Sequence, residues 1–462
     1  MVQGRNRGNA QLALGQKTRV RYSSSMPHDT VIAGTAPPPT YAQALRVWAR
    51  IGLLSFGGPA GQIALMHREL VEERKWIDEG RYLNALNFCM LLPGPEAMQL
   101  ATYVGWRLHG LKGGLTAGLL FVIPGAVIVL ALSMLYAAFG KLPLVEAVFV
   151  GIKAAVLAIV VEALLRIARR SLRNNVDWAI AGAAFVAIFF LAVPFPLIVL
   201  AAALIGFVRG GSPSAAQSIA RADARVPIAQ TLATTAVWLA IWIVPLAAVA
   251  AIFGPSHVLS QIALFFSKLA VVTFGGAYAV LAYMAQDVVE THRWLTAGEM
   301  LDGLGLAETT PGPLILVTEF VGFLAAHRHG GGNPWVMGAM GAIVTLWATF
   351  APCFLWIFAG APYIERLNAE PRLKAALAAV TAAVVGVILN LTVWFALHVL
   401  FASVTERFVG PLRLHVPDLA SISWPALLLS GVAVALLFVL HRGVLTTLAL
   451  CGALAFAWHA VA

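Results

Sequence analysis

The sequence predicts an all-α, polytopic membrane protein built from two homologous halves, and three observations predict it. Hydrophobic residues make up 60% of the 462 and charged residues only 11%, with a mean hydropathy of +0.84, far outside the range of soluble domains. Apolar runs recur from the forties to the last residues, each near the roughly 20 residues that a bilayer core of about 30 Å requires. A pattern of Phe-Gly-Gly, basic-Trp and Pro-Gly-Pro also occurs twice at one spacing.

Residues 1–40 carry Arg5, Arg7, Lys17, Arg19 and Arg21 before Pro37-Pro38-Pro39 and lack an apolar signal stretch, so they read as a flexible cytoplasmic tail. The N-terminal repeat, residues 41–208, opens with an apolar run at Leu45–Met66. A charged stretch follows, then Tyr82–Arg107, which is broken by Pro93-Gly94-Pro95. Further runs cover Leu115–Phe139, Val145–Ile167, Trp178–Val193 and Phe195–Val208. A polar linker at 209–226 leads into 227–462, a connecting helix plus the C-terminal repeat. Its runs are Ile228–Phe253, Ile262–Met284, Leu301–Ala326 broken by Pro311-Gly312-Pro313, Val336–Ala359, Ala375–Leu400, Pro425–Leu440 and Val444–Ala460. The total is about 13 spans.

The repeat constrains the architecture by itself. Phe56-Gly57-Gly58 returns as Phe274-Gly275-Gly276, Lys75-Trp76 as Arg293-Trp294, and Pro93-Gly94-Pro95 as Pro311-Gly312-Pro313, all at a shift of 218 (274 − 56 and 311 − 93). If each broken segment crosses once, six spans and a connecting seventh bring the second copy in upside down, an inverted repeat. Clusters at Arg107/His109/Lys112, Arg166/Arg169/Arg170/Arg173, Arg209/Arg221/Arg225 and Arg366/Arg372/Lys374 then fall on the cytoplasmic side. The stretch with Arg68, Arg74, Lys75 and Arg81 would lie outside, against that rule. Re-entrant broken segments would change the parity.

The net charge of +10 lies in short clusters between apolar runs, which reads as topology signals and not as a nucleic-acid face. Cys89, Cys353 and Cys451 stand apart with no metal-ligand spacing, and no HExxH, nucleophile elbow or paired-Asp motif appears. No metal, cofactor or enzyme activity is expected.

Pro-Gly-Pro inside a membrane helix removes two backbone donors and leaves amides and carbonyls without helical partners. In hydrocarbon these groups must be covered by protein or line a polar cavity. Two such breaks at matching positions point to a midplane site, and restarting helices would offer free amides and a positive dipole end to an anion. The candidate ligand-binding set is therefore Phe56, Gly57, Gly58, Pro59, Pro93, Gly94, Pro95, Lys268, Phe274, Gly275, Gly276, Pro311, Gly312 and Pro313. Packing glycines and simple kinks are the structural alternative. Glu96 and Glu308, each beside a break, are the candidate proton carriers among the ionisable residues Glu96, Arg107, Lys153, Glu162, Lys268, Asp302, Glu308 and Glu319. Arg74, Lys75 and Arg293, with Trp76 and Trp294, read first as interfacial anchors.

Ser55-Phe56-Gly57-Gly58-Pro59, Glu73-Arg74-Lys75-Trp76, Leu92-Pro93-Gly94-Pro95-Glu96-Ala97 and Phe121-Val122-Ile123-Pro124-Gly125 resemble the chromate transporter family, specifically its long two-domain members. The resemblance covers nearly all of the chain after the tail. It implies a multi-pass protein of the cell inner membrane that exports chromate and confers chromate resistance, with halves of opposite orientation. Sulfate is the runner-up substrate, and an anion channel the runner-up class. Expected partners are the oxyanion, protons and the lipid bilayer, with a homodimer compatible. The second half departs from the pattern, with Ala277 in place of Pro59 and Leu314 in place of Glu96.

Overall fold

The computed structural model describes residues 38–56, 58–211, 228–274, 277–364, 367 and 370–461. Residues 1–37 of the expected tail, linker residues 212–226 with Arg221 and Arg225, and Gly57, Pro227, Gly275, Gly276 and Arg366 lie outside the described residues.

The first half contains α1 (Tyr41–Leu54), α2 (Gly58–His67) running into a π turn at Arg68–Glu73, α3 (Glu79–Leu91), α4 (Glu96–Phe139), α5 (Pro143–Ser171), α6 (Asn175–Phe189) and α7 (Phe195–Arg209). After α8 (Ile228–Phe253) the same order returns. It comprises α9 (Val258–Val272), α10 (Ala277–Gln286) with a π turn at Asp287–Thr291, α11 (Ala297–Thr309), α12 (Val317–His329), α13 (Pro334–Gly360), α14 (Pro371–Leu400), α15 (Trp424–Val434) and α16 (Val444–Val461). The likeness reaches single residues. Lys75 and Arg293 both take φ of 53° after their π turns, and Asp78 and Thr296 cap α3 and α11 by accepting from the amide three residues on.

Five helices are long and apolar enough to cross a membrane: Glu96–Phe139, Pro143–Ser171, Ile228–Phe253, Pro334–Tyr363 and Pro371–Leu400. This is a multi-pass membrane protein. Four of the 13 segments counted from the sequence fold back on themselves. Leu45–Met66 is α1 and α2, which are roughly 21 and 15 Å long at 1.5 Å per residue. They turn at Ser55–Phe56, so that the Arg50 guanidinium lies 3.5 Å from Glu69. The equivalent Ile262–Met284 is α9 and α10, folded so that Phe265 meets Tyr283 at 6.2 Å and Trp294 at 5.7 Å between ring centroids.

The Pro-Gly-Pro segments fold back too. Phe88 in α3 stands 6.1 Å from Tyr103 in α4, and Arg328 at the end of α12 pairs with Glu299 at the start of α11 at 2.6 Å. Nor is α4 one rod. Non-helical His109 and Gly110 (φ 60°) reverse it, and Gly105 packs so closely on Gly113 that a β-carbon there would sit 2.5 Å from the Gly113 carbonyl oxygen.

These reversals sort the loops into two ends. The near end gathers Tyr41, whose ring meets His109 edge-on at 5.6 Å, together with Arg46, Arg74 and Trp76 around one cavity. The far end gathers Lys141 and Glu146 with Thr296 and Glu299, and His257 with the Gly330 carbonyl, 3.0 Å apart.

The halves interlock. In the first half, α6 and α7 pack on α14 of the second, while α15 and α16 pack on α5 of the first. Small residues allow this: Gly206 abuts the Ala375 backbone, Gly386 the Ala181 backbone and Gly151 the Cys451 backbone, the close approach typical of membrane helices.

The chain is not wholly α. β1 (Val404–Val409) and β2 (Leu412–Pro417) form an antiparallel hairpin with Val409 opposite Leu412. Gly410, at φ 61°, lies in its turn. The Arg413 amide donates to the Phe190 carbonyl at 2.7 Å, and its guanidinium holds Glu290 at 2.7 Å. The stretch between the Ala375–Leu400 and Pro425–Leu440 runs is too polar to read as a span, and Gly410, Pro411 and Pro417 interrupt its alternation.

Candidate functional site

The four turns meet. The Gly94 amide donates to the Thr273 carbonyl at 2.9 Å, and the Gly312 amide donates to the Ser55 carbonyl at 2.9 Å. Each Pro-Gly-Pro tip of one half is thus tied to the first hairpin tip of the other. The accepting carbonyls are fixed in turn: Ser55 Oγ donates to Ile51 O at 2.6 Å and Thr273 Oγ1 to Leu269 O at 2.5 Å. Both tips need glycine, since Gly94 has φ of 120° and Gly312 of 98°, where a β-carbon clashes with the chain. The sheath around them is equally tight. A β-carbon on Gly125 would come within 2.2 Å of the Pro311 carbonyl oxygen.

Two carboxamides complete the centre. Gln62 Nε2 donates to Gly312 O at 2.5 Å and to Ser55 O at 3.3 Å. Gln99 Nε2 donates to Pro93 O at 2.7 Å, while its Oε1 is buried without a hydrogen-bond partner. At the restart after each Pro-Gly-Pro, neither Pro95 nor Pro313 supplies a side-chain cap, and at the start of α4 the Glu96 carboxylate meets its own backbone amide. An amide cluster at two helix starts suits a small anion.

Of the candidates read from the sequence, Pro93, Gly94, Pro95, Pro311, Gly312 and Pro313 are buried at this meeting point, with Phe56 and Phe274 half-buried beside it. Gly58 takes φ of 69° with open space where a β-carbon would stand, next to Pro59 in the first turn of α2. Gly57, Gly275 and Gly276 lie outside the described residues. Lys268 is not at the tip. It is exposed, with its ammonium 5.7 Å over the Tyr283 ring, because it precedes Thr273 by more than a turn.

The carboxylates separate. Glu96 is the first residue of α4 and feels the charge of Arg170. Glu308 is 6% exposed, accepts from Tyr278 Oη at 2.8 Å and feels Arg166. Asp302 accepts from Tyr136 Oη at 2.7 Å and lies 3.3 Å from Lys153 Nζ. Lys153 therefore meets a carboxylate at the wall of the far-end cavity.

Sequence reading missed Gln62, Gln99 and Thr273. The signal was available for Thr273, which stands 218 positions after Ser55 (273 − 55). It was absent for the glutamines, which have Val280 and Val317 at that shift. It also missed the far-end group in which Glu290, Glu406 and His415 bring ligand-type atoms within 4.8 Å of one another. Arg413 sits among them, 2.7 Å from Glu290 and 3.9 Å from Glu406, so the charge there is already met. Burial depresses the His415 pKa below its ordinary 6.5, with Arg413 adding to the effect.

Broken helices whose tips meet in the body of a multi-pass protein define a membrane transporter. A family model described as Chromate transporter matches the chain twice, over residues 42–207 and 260–456, and the chain belongs to that family. It is 32% identical over 377 residues to a chromate transport protein of Cupriavidus metallidurans, covering 79% of this chain and 86% of that one. It is 33% identical over 373 residues to a chromate transport protein of Pseudomonas aeruginosa, covering 79% and 84%. A probable chromate transport protein of Synechococcus elongatus is 31% identical over 353 residues, covering 76% and 84%. No solved structure matches the chain.

Proposed function

We propose that this transporter carries chromate outward across the inner membrane by alternating access, holding the oxyanion at the meeting point of the four tips and conferring chromate resistance. The observation that carries the reading is the crossed pair of bonds, Gly94 to Thr273 and Gly312 to Ser55. Those bonds engage the Gly94 and Gly312 amides and pin the tips together, and the opening amides of α4 and of the Leu314–Leu316 turn receive the tetrahedral dianion without a fixed cation. The membrane potential favours export, since about 2.3 kcal/mol per charge per 100 mV makes roughly 4.6 kcal/mol for a dianion.

The fold-backs support an inverted repeat on different arithmetic from the sequence count. With four re-entrant hairpins, only the Leu111–Phe139 part of α4 and then α5, α6 and α7 cross in the first half. Four crossings return the chain to its starting side, and α8 delivers the second half inverted. On this topology Arg68, Arg74, Lys75 and Arg81 join Arg107, Lys112, Arg166, Arg169, Arg170, Arg173 and Arg209 at the near end, which is then cytoplasmic. The misfit of that stretch disappears. Arg46 and Arg74 line a near-end cavity of about 510 Å³, in which Arg74 is held by Glu69 and Glu73 and Arg46 supplies the charge that draws an oxyanion. Protons, exchanged through the buried carboxylates, are the coupling ions.

Chromate flux into everted vesicles tests this. Saturable uptake that survives excess sulfate supports a chromate exporter. Uptake abolished by sulfate makes sulfate the substrate, and flux without saturation makes the protein a channel.

A further inference from the structure

We infer that the second Pro-Gly-Pro hairpin is a proton route from the far face to the centre, running through Asp302, Glu319 and Glu308, and that the first hairpin has no such route. The inference rests on the carrier reading and divides its labour between the halves. Its basis is an asymmetry in an otherwise repeated structure. Asp302 and Glu308 correspond to Asn84 and Met90 at the shift of 218, and Glu319 corresponds to Thr102 by the match of Val104-Gly105 with Val321-Gly322, so these three carboxyls belong to one hairpin, while the first hairpin carries Glu96 beside its break, where the second has Leu314.

The three are set in sequence along that hairpin. Asp302 lies at the wall of a far-end cavity of about 390 Å³, together with Lys141, Glu146, Lys153 and Glu299, where water can deliver a proton. Glu319 stands on the returning helix, next to Phe320, whose ring contacts Gly303 of the outgoing one. It is 1% exposed, and one of its carboxyl oxygens is buried without a hydrogen-bond partner. Glu308 stands two residues before the tip.

An unpartnered buried carboxylate costs far more than the neutral acid, so Glu319 suits a station that is ionised only in passing. The groups facing the stations come from every side. Asp302 meets Lys153 of α5 and Tyr136 of α4, with Glu299 of its own helix held by Arg328. Glu308 meets Tyr278 of α10 and, at longer range, Arg166 and Glu162 of α5. Because Lys153 belongs to the first half and Asp302 to the second, motion between the halves lengthens their pair, and Asp302 then takes a proton from the cavity. Each passage loads one proton at Asp302 and delivers one from Glu308, so every station ends as it began.

The test uses the purified full chain in proteoliposomes and two readouts: exchange of labelled chromate against unlabelled chromate with no pH gradient, and chromate flux driven by acid on the far side. Asp302→Asn and Glu319→Gln are expected to keep exchange within twofold and to lose at least tenfold of the acid-driven flux. The double variant Lys153→Met/Asp302→Asn removes the stranded lysine charge and is expected to behave alike. Equal loss of both readouts in all three variants, with normal elution of the protein, overturns the route and makes these residues structural. Acid-driven flux retained in them overturns it as well. Wild-type exchange without any acid-driven flux sinks the route while the carrier reading stands; no wild-type exchange sinks the carrier reading itself.

Discussion

The amide of Gly312 donates to the carbonyl of Ser55 at 2.9 Å, joining the two halves through residues 257 positions apart (312 − 55). The bond exists only while Gly312 holds φ at 98°. Gly312→Val is expected to cost about 1–3 kcal/mol of backbone strain and to drop chromate flux below a tenth of wild type, with the protein still inserted. Gly94→Val should match it, because the same bond runs the other way to Thr273. Normal flux in both would remove the tips from the site.

Gln62 braces that turn from the side. Gln62→Ala leaves the Gly312 carbonyl without its carboxamide donor, a loss of about 1–3 kcal/mol for a buried group. A lower melting temperature and a raised KM for chromate should follow. Gln62→Glu replaces the donating amide with a carboxylate beside the oxyanion and should reduce flux further. Equal flux in the two variants would make Gln62 a packing residue only.

Topology has a chemical readout. Single cysteines at Lys75 or Lys112, in a chain with Cys89, Cys353 and Cys451 replaced, should react with an impermeant maleimide only in everted vesicles. Cysteines at Lys141 or Arg293 should react only in right-side-out ones. Labelling of Lys75 and Lys112 from opposite sides would break the fold-back topology, and labelling of Lys75 and Arg293 from the same side would break the inversion.

The strand hairpin predicts a pH effect. Burial holds the His415 pKa below 6.5 in the folded protein, so neutral His415 is favoured by folding. Its contribution is complete above the unfolded value of about 6.5 and is lost as pH falls toward the folded value. Protease resistance of the 404–417 segment should therefore decline on acidification, and His415→Gln should flatten that decline. An unchanged profile in the variant would assign the effect to Glu290 or Glu406.

Much of this was legible in the sequence, and the limits are physical. Composition gives the membrane class, and the shift of 218 locates the paired tips, because glycine and proline at a turn are dictated by local backbone geometry. Hydropathy cannot separate a crossing from a fold-back. Leu45–Met66 averages as apolar even with Arg46 and Arg50 inside it, yet its reversal shows in Arg50 meeting Glu69, a residue beyond the run. Gln62 and Gln99 were passed over because an uncharged amide barely alters hydropathy, although at the meeting point of the tips the two hold the Gly312 and Pro93 carbonyls. Lys268 drew attention as a cation near a tip, but helical periodicity turns it toward Tyr283.

The exchange of helix pairs, α6 and α7 onto α14 and α15 and α16 onto α5, has a consequence for synthesis. A ribosome that has completed residue 209 has made a lipid-facing pair whose packing surface, at Ala375 and Gly386, has yet to be translated. The first half must wait in the bilayer with glycine grooves open until the second arrives to fill them. Separately expressed halves should consequently be degraded alone and rescue each other when made together, so the chain matures as one unit, although it was written as two.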